Sequence, residues 1–183
     1  MTGWLASVAN AAEVSLILPA GPDILDLKNP AAAALGAWKA KDIAATVRDL
    51  AEVPGRRQLS ATIGDHPMRP DAVVPAARRI AATGVDFVKI GFAPDGAPEK
   101  CIEALAQLAI KGAGLIAVLF ADLWPNDPCC LPIDRLAAAG FRGMMLDTAG
   151  KRHGLRHHWQ DVQLGAFVSC ARAHACKPVW RGR

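Results

Sequence analysis

The chain has 183 residues, of which 52% are hydrophobic and 21% are charged, and its mean hydropathy is slightly positive. This length suits one domain over residues 1–183, and the composition excludes a disordered chain. The net charge is +4, yet no basic tail, Arg-rich helix or aromatic–basic surface stands out, so we expect no nucleic-acid partner. A mild positive charge suits anionic small molecules such as phosphates.

Cysteine usage and hydropathy bear on the compartment. Five cysteines occur without a CxxC pair: Cys101, Cys129, Cys130, Cys170 and Cys176. We interpret them as reduced thiols of a cytoplasmic protein and expect no metal site, although His153, His157 and His158 offer possible zinc ligands near the Cys129–Cys130 pair. No signal-peptide pattern is present, and no apolar run approaches the roughly 20 residues that span a membrane.

Short apolar runs alternate with amphipathic stretches along the whole chain. In chain order, the pattern predicts strand 4–8, helix 11–18, strand 24–27, helix 39–52, strand 59–63, helix 72–83, strand 87–90, helix 98–111, strand 115–120, helix 133–139, strand 143–146 and helix 161–175. Asn29-Pro30 ends the second strand, and Ile43, Val47 and Leu50 are spaced for one helix face. Six βα units in order predict a parallel sheet with right-handed crossovers.

A closed barrel and an open doubly wound sheet both fit this order. No G-x-G-x-x-G follows the first strand, which counts against a dinucleotide-binding sheet. Polar residues instead recur at the carboxyl ends of successive strands, where barrel enzymes place their chemistry: Asp26, Lys28, Asp65, Lys89, Asp122 and Asp147. We therefore predict an α/β fold of the (β/α)₈ TIM-barrel type.

The length conflicts with a complete barrel, which needs eight strands and typically about 250 residues. About six of eight βα units are present, and the tail 174–183 could begin a seventh strand but not supply an eighth. We expect a C-terminally shortened chain whose open strand edges destabilise the monomer and favour a homo-oligomer.

The chemistry is predicted at Asp26-Leu27-Lys28. Residues two apart on a strand point to the same side, so Asp26 and Lys28 would both face the barrel interior. Burial disfavours the ammonium form of a lysine and yields an amine that can attack a carbonyl. Lys89 would point to the same mouth, Lys151 could join it, and Asp26 and Asp147 would act as counter-charges or proton carriers.

Simpler interpretations remain open for these residues. Each could be an ordinary ion pair at a strand end. Ser60 and Thr62 are weak nucleophile candidates because no His lies at a recognisable spacing. His66, next to Gly64-Asp65, is more typical of a loop residue than of a metal ligand.

Four segments carry a family resemblance: Asp23-Ile-Leu-Asp-Leu-Lys-Asn-Pro30, Leu59-Ser-Ala-Thr-Ile-Gly-Asp65, Asp86-Phe-Val-Lys-Ile-Gly91 and Met145-Leu-Asp-Thr-Ala149. Together with Ala121-Asp122, they resemble the (5-formylfuran-3-yl)methyl phosphate synthase family. The resemblance implies a class I aldolase-like barrel that condenses two glyceraldehyde 3-phosphate molecules for methanofuran-type one-carbon cofactor biosynthesis, with no metal or organic cofactor.

The resemblance also implies roles for individual residues. Lys28 matches the Schiff-base lysine and Lys89 the proton-transferring lysine, with Asp26, Asp147 and Lys151 in support. Asp65 and Asp122 are expected to contact the phosphorylated substrate. The family's last two strands, whose loops bind phosphate in many barrels, have no counterpart in this sequence.

Two alternatives to this function stay open. Another class I aldolase-like lyase acting on a phosphorylated sugar would share the lysine chemistry. A non-catalytic homologue that binds phosphometabolites would bind ligand without covalent trapping.

Overall fold

The computed structural model describes residues 3–32, 34–55, 57–108, 112–150, 152–174 and 176–180. Strands and helices alternate through most of the chain: β1 (Leu5–Val8), α1 (Ala11–Ile17), β2 (Ile24–Leu27), α2 (Ala40–Ala51), β3 (Gln58–Thr62), α3 (Pro70–Ala81), β4 (Phe87–Phe92), α4 (Pro98–Ala106), β5 (Gly114–Phe120), α5 (Ile133–Ala138), β6 (Gly143–Asp147), α6 (Leu155–His158), α7 (Asp161–Ala173) and β7 (Lys177–Trp180). Short 3₁₀ turns at Leu18–Ala20 and Pro128–Cys130 add to these elements.

The strands are parallel and follow one another in chain order from β1 to β7. Burial runs almost unbroken along β2 to β6, as expected where a parallel sheet is covered on both faces. Each connection between strands carries at least one helix, so the alternation read from the sequence is confirmed.

The described residues form two compact units. The first unit contains β1, β2, β3 and the start of β4 up to Lys89, together with α1, α2 and most of α3. Asn10 caps α1, because its Oδ1 accepts from the backbone N–H of Glu13 at 3.1 Å. Helix α2 buries Ile43 and Leu50, so the predicted face is the one that packs.

The second unit contains the end of β4, then β5, β6 and β7 with helices α4 to α7. Its largest fully buried side chains include Phe92, Trp159 and Phe167. Helix α7 begins with a capping box, in which the Gln163 side chain accepts from the Gln160 backbone N–H at 2.7 Å.

Strand β7 pairs in parallel with β6 and lies in the tail 174–183, where the sequence allowed a seventh strand to begin. The structure corrects the sequence prediction at two helices. The helix predicted over 98–111 ends at Ala106, and Gln107 and Leu108 form a turn, while residues 109–111 lie outside the described part. Helix α6 was missed because four residues are too few for a periodic pattern. The full eight-unit barrel and the single domain stay predictions.

Candidate active site in the first unit

Asp26 lies at the centre of a buried polar cluster. In the parallel register it stands between Ser7 of β1 and Ser60 of β3. Ser60 Oγ donates to Asp26 Oδ1 at 2.8 Å, and Ser7 Oγ donates to Oδ2 at 3.0 Å. Because directly paired residues of neighbouring strands project to the same side of the sheet, the three side chains converge on one carboxylate.

Lys89 reaches the same carboxylate from β4. Its Nζ lies 2.5 Å from Asp26 Oδ2, and the side chains of Lys89 and Asp26 are 2% and 1% exposed. Removing two charges from water costs several kcal/mol per ion, so a buried pair adds little net stability compared with apolar residues. A buried pair between neighbouring strands is therefore better explained by chemistry than by stability.

Lys28 follows β2 directly and is 1% exposed. Its backbone N–H donates to Val8 O at 3.0 Å, which continues the β1–β2 ladder by one residue. Lys28 and Asp26 are two residues apart and both buried, whereas the prediction that both point to the barrel interior stays a prediction. The first unit thus buries two lysines and a carboxylate, with Asp26 and Lys28 at the carboxyl end of β2 and Lys89 within β4.

Asp65 holds the loop that follows β2. Its Oδ1 accepts from the backbone N–H of Leu35 at 3.2 Å, which fastens the loop after β2 to the end of β3. The same loop folds back on itself, because Asn29 N–H donates to Gly36 O at 2.8 Å. The predicted contact of Asp65 with substrate stays a prediction.

Asp122 and Asp147 belong to the second unit. Both carboxylate oxygens of Asp122 accept backbone N–H groups, from Ala149 at 2.8 Å and Gly150 at 2.7 Å, so Asp122 holds the turn after β6. Asp147 is buried, and its Oδ1 accepts from Thr148 N–H at 2.8 Å. Lys151, also predicted for the site, lies outside the described residues. Of the predicted residues, Asp26 and Lys89 are in direct contact.

The cysteines behave as ordinary thiols in the described residues. Burial raises the pKa of Cys101, with a smaller contribution from Asp71, and burial alone raises that of Cys176. Asp127 raises the pKa of Cys129, which keeps that exposed thiol protonated. Within the described ranges, no three His, Cys, Asp or Glu side chains are arranged to hold a metal ion. No described helix is both long and apolar enough to cross a bilayer.

Sequence reasoning missed Ser7 and treated Ser60 only as a weak nucleophile candidate. Both serve instead as hydrogen-bond donors to Asp26. The signal that could have found them is the register: each occupies a strand position that pairs with Asp26. A polar residue on each flanking strand, in line with a buried carboxylate, predicts such a cluster once the strands are aligned.

The chain is similar to known proteins along nearly its full length. The family model for 4-HFC-P synthase matches residues 4–182, nearly the full chain. The chain belongs to the 4-HFC-P synthase family.

Relatives agree with this assignment to the 4-HFC-P synthase family. The (5-formylfuran-3-yl)methyl phosphate synthase of Methanopyrus kandleri is 31% identical over 194 residues, covering 97% of this chain and 78% of the relative. A protein of Methylorubrum extorquens, named as a candidate for the same synthase, is 42% identical over 174 residues, covering 93% and 67%. Family membership carries the expectation of an enzyme, since these relatives are named synthases.

Solved structures support the fold. The CutC protein of Streptococcus agalactiae matches with a TM-score of 0.76 at 16% identity, covering 98% of this chain and 87% of that one. The deoxyribose phosphate aldolase of Aeropyrum pernix matches with a TM-score of 0.63 at 17% identity, covering 98% and 75%. The fold of this 4-HFC-P synthase family member is therefore that of TIM-barrel-like α/β proteins.

Proposed function

We propose that the chain condenses two molecules of glyceraldehyde 3-phosphate into (5-formylfuran-3-yl)methyl phosphate through a Schiff base on Lys28. The observation that carries the proposal is a buried lysine two residues from a buried Asp26–Lys89 pair. The product would serve the biosynthesis of a methanofuran-type one-carbon cofactor, in the cytoplasm. The names of the family and of its relatives support the same product.

The reaction begins with the neutral amine of Lys28. It attacks a substrate carbonyl, forms a carbinolamine and loses water to give an iminium ion. The iminium withdraws electrons and acidifies the neighbouring C–H, so that loss of a proton gives an enamine that attacks the second aldehyde. Ring closure and elimination follow. Two substrate molecules give one furan product, one phosphate and two waters. The atoms and electrons balance without an oxidant, and the proposed steps use no metal or organic cofactor.

Proton transfers fall to Lys89 and Asp26. Lys89 would exchange protons with the substrate, and the contact of its Nζ with Asp26 supports this role. A proton-transferring group typically contributes about 10²–10⁴ in rate. Ser7 and Ser60 fix the Asp26 carboxylate, which keeps the lysine in one orientation. We assign Asp147 and Lys151 to supporting charge, and Asp65 and Asp122 to substrate contact.

The proposal extends to the assembled protein. The chain spans 67% and 78% of the length of the two relatives described above. We propose that its strands correspond to part of an eight-unit barrel of the class I aldolase type. A homo-oligomer would cover strand edges that such a barrel leaves open.

The test is to trap the covalent intermediate. The protein is incubated with glyceraldehyde 3-phosphate, reduced with borohydride and digested, and the adduct is located by peptide mass spectrometry. We expect an adduct on Lys28 that is absent in Lys28→Ala. Two matched variants serve as controls: Lys100→Ala removes an exposed lysine and should keep the adduct, and Lys89→Met should keep some adduct but lose turnover.

Product analysis separates this function from its alternatives. The synthase must give a furan aldehyde with its ultraviolet absorbance and release one phosphate per product. A Lys28 adduct with a non-furan product would indicate another aldolase-like lyase. A well-folded chain that binds the substrate without any adduct would indicate a non-catalytic homologue, and the proposal would then fail.

A further inference from the structure

Three histidine rings meet just after β6. The rings of His153 and His157 are stacked, with centroids 4.0 Å apart and an interplanar angle of 16°. His158 stands edge-on to both, with its centroid 5.2 Å from that of His157 and 6.3 Å from that of His153. Three of the chain's five histidines therefore form one histidine cluster, and the Lys28 chemistry does not use it.

Buried contacts hold this cluster at the carboxyl ends of strands. Trp159, directly after His158, is 1% exposed, and its Nε1–H donates to Ala121 O at 3.1 Å, immediately beyond β5. On the other side, Asp122 holds the backbone at Ala149 and Gly150. His153 and His157 are exposed between these anchors. A fixed exposed group at this end of parallel strands lies where such folds bind ligands.

The charged side chains near the histidine cluster determine whether it favours an anion or a cation. Arg152 and Arg156 are exposed beside the histidines, and Arg156 Nη2 lies 3.1 Å from Asp161 Oδ1. Asp122, which holds the turn before the cluster, already accepts backbone N–H groups with both of its oxygens. The neighbouring cations disfavour a bound metal ion, and the described residues contain no metal-holding arrangement. Arginine and protonated imidazole together favour an anion.

We propose that His153, His157 and His158, together with Arg152, form a phosphate-binding site. A phosphate dianion offers several acceptor oxygens to the imidazole and guanidinium donors. The ligand is either free phosphate or the phosphate group of a small ester. The site would serve the proposed reaction, which consumes two phosphate esters and releases phosphate, but its anion binding does not depend on that reaction.

Anion binding at the histidine cluster should depend on pH, because it is linked to protonation of the histidines. A bound dianion stabilises the imidazolium form and so raises the pKa of each histidine that it contacts, which means that binding takes up protons. Affinity must then increase as the pH falls and the imidazoles take up protons. The other charged side chains beside the cluster are Arg152, Arg156 and Asp161, and Asp122 holds the turn before it. Sulfate keeps its charge, so a pH dependence measured with sulfate belongs to the protein.

The experiment follows imidazole signals by NMR in the full chain during titration with inorganic phosphate, sulfate, or sodium chloride at equal ionic strength. We expect saturable shifts and raised pKa values for the three cluster histidines with phosphate and sulfate but not with chloride. His174 serves as the internal reference, because it is not part of the cluster. Its Nε2 lies 2.8 Å from Asp134 Oδ1. Equal shifts of His174 and the cluster, or equal shifts with chloride, would overturn the proposal.

Variants and a second ligand complete the test. His153→Asn with His157→Asn should weaken phosphate binding by at least about tenfold, the effect of losing charge-assisted hydrogen bonds, whereas His174→Asn should leave it unchanged. Unchanged binding in the double variant would exclude the site. Tighter binding of glycerol 3-phosphate than of phosphate identifies an ester site, and equal binding identifies a site for the free ion. A Lys28 adduct that forms without phosphate binding would separate failure here from failure of the proposed function.

Discussion

The carboxylates of the two units are engaged in different ways. In the first unit, Asp26 receives side-chain donors from three other strands, Ser7, Ser60 and Lys89. In the second unit, Asp122 receives two backbone N–H groups. Both residues follow the same sequence rule, an aspartate near the carboxyl end of a parallel strand. Their partners give them different tasks.

This difference has a physical meaning. Side-chain partners such as a lysine ammonium can gain or lose protons and can turn toward a ligand, so a carboxylate among them can take part in proton transfer. Backbone N–H groups cannot be deprotonated at ordinary pH, and a carboxylate bound to them fixes a turn. We infer that the Asp26 carboxylate is held for proton transfer, whereas the Asp122 carboxylate holds the turn after β6 and takes no part in forming the Lys28 imine. Substitution can test each assignment.

Asp26→Ala should give the largest effect. It removes the carboxylate that buried Lys89 contacts, and breaking a buried ion pair from one side costs about 3–5 kcal/mol of the free energy of unfolding. Turnover should fall by about 10²–10⁴ because the lysine loses its orienting partner. Urea denaturation and phosphate release measure the two effects.

A double variant provides the control for stability. Asp26→Leu with Lys89→Met replaces the pair by apolar residues of similar size, and such replacements are often neutral or stabilising. We expect most of the stability to return while turnover stays lost. If turnover returned with stability, the pair would be structural and the contrast with Asp122 would disappear.

Asp122→Ala should have a smaller effect of a different kind. Two backbone N–H groups at the turn after β6 lose their acceptor, which should cost about 1–3 kcal/mol of the free energy of unfolding. The borohydride adduct on Lys28 should still form, because forming the imine needs the Lys28 amine and not the Asp122 carboxylate. Loss of the adduct in a chain that remains folded would place Asp122 in the chemistry and contradict the assignment.

The fold could be predicted from the sequence because buried parallel strands read as short apolar runs. The run at 24–27 coincides with β2, and the run at 143–146 is one residue shorter than β6. Strand β7 gave a weaker signal, since Lys177 and Pro178 occupy half of its four residues. Its place is set by pairing with β6, which a local pattern does not contain.

The candidate site could be predicted only in part. Asp26 and Lys28 were found because alternation puts residues two apart on one side of a strand. Ser7 escaped because serine at a strand end has no special local meaning, and its role appears only when β1 and β2 are aligned. Asp65 was found from its position after a strand, but its hydrogen bond with the backbone N–H of Leu35 appears only in the folded chain. Its contact with substrate stays a prediction.

The two serines that donate to Asp26 differ in burial, and their substitution should have smaller effects. Ser60 is buried and Ser7 is exposed, although both donate to Asp26. Ser60→Ala should cost about 1–2 kcal/mol of the free energy of unfolding and several-fold in turnover, because a buried acceptor loses its donor. Ser7→Ala should cost less, since water can replace the hydroxyl. Equal losses in the two variants would indicate that burial does not control the cluster.

The smallest expected effect concerns the two buried thiols of the second unit, Cys101 and Cys176, and the pH dependence of stability. Burial raises the pKa values of Cys101 and Cys176 above the usual 9.0, so the folded chain holds these protons more tightly than the unfolded chain. Their contribution to stability is complete below about pH 9 and is lost as the pH rises through the raised values, by at most about 1.4 kcal/mol per pH unit for each thiol. Cys101→Ala with Cys176→Ala should flatten the fall in the free energy of unfolding between about pH 8 and 10, whereas Cys130→Ala, at an exposed position, should not. An unchanged slope in the double variant would mean that the alkaline loss comes from other groups.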